Sequence, residues 1–84
     1  MDEVGGHSMK DLLLYIARSL VDNPDAVSVT DIEGEQELTL ELRVAPEDMG
    51  KVIGRQGRIA KEIRTLIRSY AQRTGQKVSV DIVD

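Results

Sequence analysis

One stretch, Val52-Ile53-Gly54-Arg55-Gln56-Gly57-Arg58-Ile59, limits the possible folds more than any other part of this chain. A short apolar run meets two glycines three positions apart, and a basic amphipathic segment starts directly behind them. Glycines at that spacing let a backbone come close to a ligand without Cβ interference, and each tolerates a positive φ. The helix that follows points its free N–H groups and the positive end of its dipole back at the turn, an arrangement suited to phosphate. Arg55 and Gln56 sit inside the turn and add a cation and an amide. The combination fits a clamp for a nucleic-acid backbone.

Periodicity places this turn within a larger order. Leu12, Leu13, Ile16, Ala17, Leu20 and Val21 recur at helical spacing and predict an amphipathic helix over residues 9–21. Asp22-Asn23-Pro24-Asp25 ends it. Val27 and Val29 alternate with Ser28 and Thr30, as in a strand, and Glu33-Gly34-Glu35-Gln36 forms a turn. Leu38, Leu40, Leu42 and Val44 then alternate strictly with Glu37, Thr39, Glu41 and Arg43, which predicts a half-buried strand. Pro46 followed by two acids opens a short helix over 46–53, with Gly54 as its cap. Ile59, Ile63, Leu66, Ile67 and Tyr70 mark one face of a helix over 58–74, stopped by Gly75. Val78, Val80 and Ile82 alternate in a last strand. The order helix-strand-strand-helix-helix-strand implies an α+β domain, with a three-stranded sheet covered on one face by three helices.

The chain has 84 residues, which suits one small domain. Residues 1–8, ending Gly5-Gly6-His7-Ser8 before a second methionine, read as a leader added for expression. The domain is therefore expected over 9–84, and leaving out Asp2 and Glu3 takes the formal charge from −4 to −2. That total hides a segregation of charge. Residues 50–77 hold eight basic side chains and one acid, whereas residues 9–49 hold three and ten. Binding responds to the local field, so the basic segment outweighs the acidic pI.

Val52-Ile53-Gly54-Arg55-Gln56-Gly57-Arg58-Ile59-Ala60-Lys61-Glu62-Ile63 resembles the signature of KH domains, and the element order is that of their type II variant. In size the chain is similar to the small stand-alone bacterial KH proteins of the KhpA family. The resemblance implies that the Gly-x-x-Gly loop holds about four single-stranded nucleotides by their backbone. Bases would enter a groove between the two signature helices and the strand after them. Carried onto this chain, Gly54, Arg55, Gln56 and Gly57 form the clamp. Val52, Ile53 and Ile59 line or support the apolar side, and residues 78–82, including Val80, form the far wall. Lys51 and Arg58 flank the clamp, and Lys61 extends the basic patch. Lys61, Arg64 and Arg68 fit equally well as a solvated helix face.

Catalysis finds little footing. Gly50-Lys51 lacks the spacing of a P-loop, and the glycines at 50, 54 and 57 miss the dinucleotide pattern. With no cysteine and His7 as the one histidine, neither a thiol nucleophile nor a multi-histidine metal site is available, and no cofactor is implied. Glu33, Glu35 and Glu37 read as a solubilising hairpin tip. Tyr15 and Tyr70 sit beside apolar helix positions and are expected in the core. The expectation is a cytoplasmic binder of single-stranded RNA without a membrane anchor, acting as an RNA chaperone, regulator or ribonucleoprotein assembly factor. Single-stranded DNA binding and a protein-interaction module on the same fold are the alternatives. One short groove without aromatic stacking binds weakly, so a homodimer is expected, or a heterodimer with a larger KhpB-like protein that has its own KH domain.

Overall fold

The structure, a computed structural model, describes residues 9–83. The leader assigned to residues 1–8, with His7, lies outside the described residues. Six main elements follow in order: α1 (Met9–Leu20), β1 (Ser28–Glu33), β2 (Leu38–Arg43), α2 (Met49–Ile53), α3 (Arg58–Arg73) and β3 (Val78–Val83). Short 3₁₀ turns at Pro24–Ala26, Pro46–Asp48 and Arg55–Gly57 join them. The expected α+β order is observed. β1 runs on through Asp31, Ile32 and Glu33, beyond the Val27–Thr30 alternation, because Glu33 pairs with Leu38 across a tight loop. In that loop Gly34 N–H donates to the Glu37 carbonyl at 2.7 Å.

The sheet order is β1-β2-β3, with β1 antiparallel and β3 parallel to the central β2. Parallel pairing requires a crossover, and here α2, the 54–57 turn and α3 supply it. Sheet alternation then decides which side chains go inward. Val29, Leu40, Leu42, Val78 and Val80 are buried on one face together with Leu13 and Ala17 of α1 and Ile63, Ile67 and Ala71 of α3. The opposite face carries Thr30, Ile32, Thr39, Glu41, Ser79 and Asp81. Leu40 and Leu42 are fully buried at the centre, and burying each such side chain contributes about 1.5–3 kcal/mol.

Two helix-face expectations need correction. Ala60, Ile63, Ile67 and Ala71 form the buried stripe of α3, and Leu66 is 56% exposed. At 3.6 residues per turn Leu66 lies roughly 100° from the centre of that stripe, on its flank. Tyr15, expected in the core, is 73% exposed, because α1 buries Met9, Leu13 and Ala17 and turns Tyr15 outward. Tyr70 is half-buried against the core. No helix among the described residues is long and apolar enough to cross a membrane.

Candidate nucleic-acid interface

α2 and α3 meet at a turn whose backbone few residue types could adopt. Gly54 has φ 77° and ψ 174°, Gln56 has φ 58° and Gly57 has φ 75°. The first glycine ends α2, its N–H donating to the Gly50 carbonyl at 2.9 Å, and the Gly57 N–H closes back on the Gly54 carbonyl at 3.2 Å. The two glycines serve different needs. A Cβ on Gly54 would stand 2.6 Å from Ile59 Cγ1 and 2.9 Å from Ile59 Cβ, so Ile59 packs directly over it. A Cβ on Gly57 would meet nothing within 4 Å. Gly57 is therefore the open side of the turn, and Gly54 is the packed side. Gln56 holds a left-handed conformation that costs a non-glycine residue about 1 kcal/mol or more, a strain the sequence pattern did not signal.

The exposed side chains at this turn are Arg55, Gln56 and Arg58. Gly57 is the N-cap of α3, and no side chain caps that helix end. Its first-turn amides and dipole therefore lie beside two exposed arginines in the chain, a combination that favours an anion. Ile53 and Ile59 are half-buried against the core, and Val52 beneath them is fully buried. Val52 thus belongs to the core, while Ile53 and Ile59 reach the surface beside the turn.

Lys51, Val80 and Arg64 each have surroundings within the domain that the sequence does not show. The Lys51 ammonium lies 3.2 Å from an Asp22 carboxylate oxygen and 3.5 Å from Asp48. It is already paired, and among the described residues Arg55 and Arg58 at the turn have no ion pair. The hydrogen bond and charge of Asp22 hold the Lys51 pKa above its ordinary value, with Asp48 adding to them. Val80 has its side chain buried at 5% exposure, so β3 presents its backbone edge to the outside there. Arg64, which fitted a solvated face, donates from Nε to the Val80 carbonyl at 3.2 Å. Lys61 stays exposed on α3, one turn beyond Arg58.

In the sequence Asp48 is only the second of two acids after Pro46. It is fully buried, and its two carboxylate oxygens accept the backbone N–H groups of Asp22 at 3.3 Å and Asn23 at 3.0 Å. Burial pushes its pKa up, but those hydrogen bonds and Lys51 outweigh burial and hold it below the ordinary carboxylate value. The group fastens the end of α1 to the start of α2, and so fixes the entry to the glycine turn. The one hint in the sequence was the i, i+3 spacing of Asp48 and Lys51. The amide partners are 25 and 26 residues away, and no local pattern points to them.

A family model described as KhpA/KhpB, KH domain matches residues 10–82. The chain is 60% identical over 75 residues to a protein named RNA-binding protein KhpA from Clostridium acetobutylicum, covering 89% of this chain and all of the relative. A protein of the same name from Aquifex aeolicus is 46% identical over 77 residues, covering 92% of this chain and 98% of the relative. Among solved structures, Era in complex with MgGDPNP and nucleotides 1506–1542 of 16S ribosomal RNA superposes with a TM-score of 0.63 at 21% identity. An Aquifex aeolicus Era variant bound to GDP and aluminium fluoride gives 0.62 at the same identity. Each match covers 88% of this chain but less than a third of the Era chain, 28% and 29% respectively, and at that identity it shows the shared fold alone.

Proposed function

This chain belongs to the KhpA/KhpB KH-domain family, and from that premise we propose that it binds single-stranded RNA along the 54–57 turn. The observation that carries the reading is the open side of the turn. Gly57 has positive φ and free space where a Cβ would stand, at an uncapped helix N-terminus flanked by exposed Arg55, Gln56 and Arg58. A phosphodiester backbone lying there meets amides and guanidinium groups, while its bases turn toward Ile53, Ile59 and the edge of β3. The chain is a binding module and not an enzyme, in keeping with relatives named for RNA binding.

Its role is that of an RNA chaperone, regulator or ribonucleoprotein assembly factor in the cytoplasm, with residues 9–84 as one KH domain. It works as a homodimer, or paired with a larger KhpB-like KH protein. The exposed apolar side chains Leu66, Tyr15 and Leu20 on α3 and α1 favour such a partner surface. The test is the double variant Arg55→Asp/Gln56→Asp. Both side chains are exposed, so melting stays native-like while binding of a short unstructured RNA is lost. Retained affinity in the folded variant would overturn the clamp. Matched DNA oligonucleotides separate RNA from single-stranded DNA binding. A protein that binds neither nucleic acid is an interaction module.

A further inference from the structure

β1 is an outer strand of the sheet and pairs with β2 alone, so its other edge is open. The Gly34 N–H bonds the Glu37 carbonyl, which fixes the alternation of the ladder. Ser28, Thr30 and Ile32 turn their backbone groups toward β2, and Val29, Asp31 and Glu33 turn theirs toward the open edge. The side chains of these last three share the helix-facing side of the sheet. Val29 is buried there, but Asp31 and Glu33 are exposed, so the helical layer leaves the far half of the strand uncovered. Neither carboxylate has an ion pair among the described residues. From Asp22 to Glu37 the chain holds six acids and no base. The open edge thus combines unpaired backbone donors and acceptors with two free carboxylates on alternate residues.

We propose that the β1 edge docks an extended Lys/Arg-rich arm of another protein, which adds to the sheet as a fourth strand. An open edge supplies main-chain hydrogen bonds to an added strand, and alternate side chains decide which strand is accepted. An arm with a basic residue at every second position sets cations beside Asp31 and Glu33, while its backbone groups meet those of Val29, Asp31 and Glu33. Charge excludes the rival occupants. A second copy of β1 pairing edge to edge would bring the acids of both copies together, and opposed like charges destabilise a strand pair. RNA would meet the same carboxylates with its phosphates. The acids that guard this edge against self-pairing therefore leave it open to a basic strand. β3, on the proposed RNA path, is the other outer strand, with β2 between them. Neighbouring strands lie about 4.8 Å apart, so the two edges are separated by roughly 10 Å and can be occupied at once. Only that simultaneous occupancy rests on the RNA reading; docking at β1 does not.

The experiment uses a fluorescein-labelled nine-residue peptide of alternating lysine and threonine, with a serine–threonine peptide of equal length as the uncharged control. Each is titrated with the whole chain by anisotropy, as wild type, Asp31→Asn/Glu33→Gln and Asp25→Asn/Glu47→Gln, with melting curves for all three. The second double variant removes the same charge from exposed acids outside β1. The wild type binds the lysine peptide at least about tenfold more tightly than the control. Asp31→Asn/Glu33→Gln weakens that binding about three- to tenfold, as the loss of two cross-strand ion pairs requires. Asp25→Asn/Glu47→Gln changes it by less than about twofold, because salt screens charges that do not touch the peptide. In the complex, amide exchange slows at Val29, Asp31 and Glu33, while Thr30 and Ile32 stay as they are. Failure to bind the lysine peptide overturns the proposal. So do equal losses in the two folded double variants, or binding without slowed exchange at the edge, since the attraction would then be diffuse charge. Arg55→Asp/Gln56→Asp keeps peptide binding whatever becomes of its RNA binding, so the two readings fail separately.

Discussion

Replacing the two glycines of the turn by alanine, one at a time, should give very different losses of stability. Gly54 lies at φ 77° and ψ 174°, a region essentially reserved for glycine, and holding another residue there costs about 1–3 kcal/mol. The new methyl would also stand 2.6 Å from Ile59 Cγ1 and 2.9 Å from Ile59 Cβ. The second atom is next to the backbone, so relief requires moving the first turn of α3, at a further ~1–3 kcal/mol. Reduced freedom of the unfolded chain returns about 0.4–1 kcal/mol. Gly54→Ala should therefore cost roughly 1–5 kcal/mol, a large share of what a domain of this size has. Gly57→Ala, at φ 75° with open space, should cost about 1–2 kcal/mol. Urea denaturation followed by circular dichroism measures both. A double-mutant cycle with Ile59→Ala isolates the overlap, with a coupling of about 1–3 kcal/mol for Gly54 and near zero for Gly57. Equal losses for the two glycines, or no coupling between Gly54 and Ile59, would refute the division into a packed side and an open side. Folded Gly57→Ala should still bind RNA more weakly, because its methyl stands on the open side.

Three further outcomes follow from the same geometry. On the proposed RNA path, with Lys51 paired, three cations near the turn (Arg55, Arg58 and Lys61) would meet phosphates, so the log–log salt slope of binding should be about −2. Lys51→Ala should leave that slope unchanged, and Arg58→Ala should make it shallower. Asp48 has its carboxyl pKa lowered by folding, so its contribution to stability is present above the ordinary carboxylate range and is lost as pH falls through the folded value. Denaturation midpoints measured from pH 7 down to 3 should drop less steeply in Asp48→Asn than in wild type, and parallel curves would count against this role. Leu66→Glu places a charge on the exposed flank of α3 and should convert any dimer to monomer in sedimentation, with the melting temperature little changed. A native-like dimer in that variant would put the partner surface elsewhere.

The sequence by itself determined what depends on short-range geometry. The strict alternation from Leu38 to Val44 and from Val78 to Ile82 produced β2 and β3, and the 3.6-residue spacing around Ile63 and Ile67 produced α3 almost to its ends. Gly54 and Gly57 announced a turn in which both take positive φ. All of these follow from backbone sterics and side-chain direction over a few residues. Other features were decided only when distant elements met. Periodicity grouped Leu66 with Ile63 and Tyr15 with its apolar neighbours, but the width of each buried stripe is set by what packs against it, and both side chains face outward. Charge counting marks Lys51 as a cation for phosphate, and the segment after α1 places the Asp22 carboxylate 3.2 Å from it. The sequence does not mark Asp48 as buried, because the amides of Asp22 and Asn23 reach it only after the chain has passed through β1 and β2. Arg64 meets the Val80 carbonyl because the parallel pairing of β3 with β2 leaves that edge open beside α3. A sequence records which groups can donate or accept. Which of them are already paired depends on strand order and helix placement, and so does the chemistry left over for a ligand.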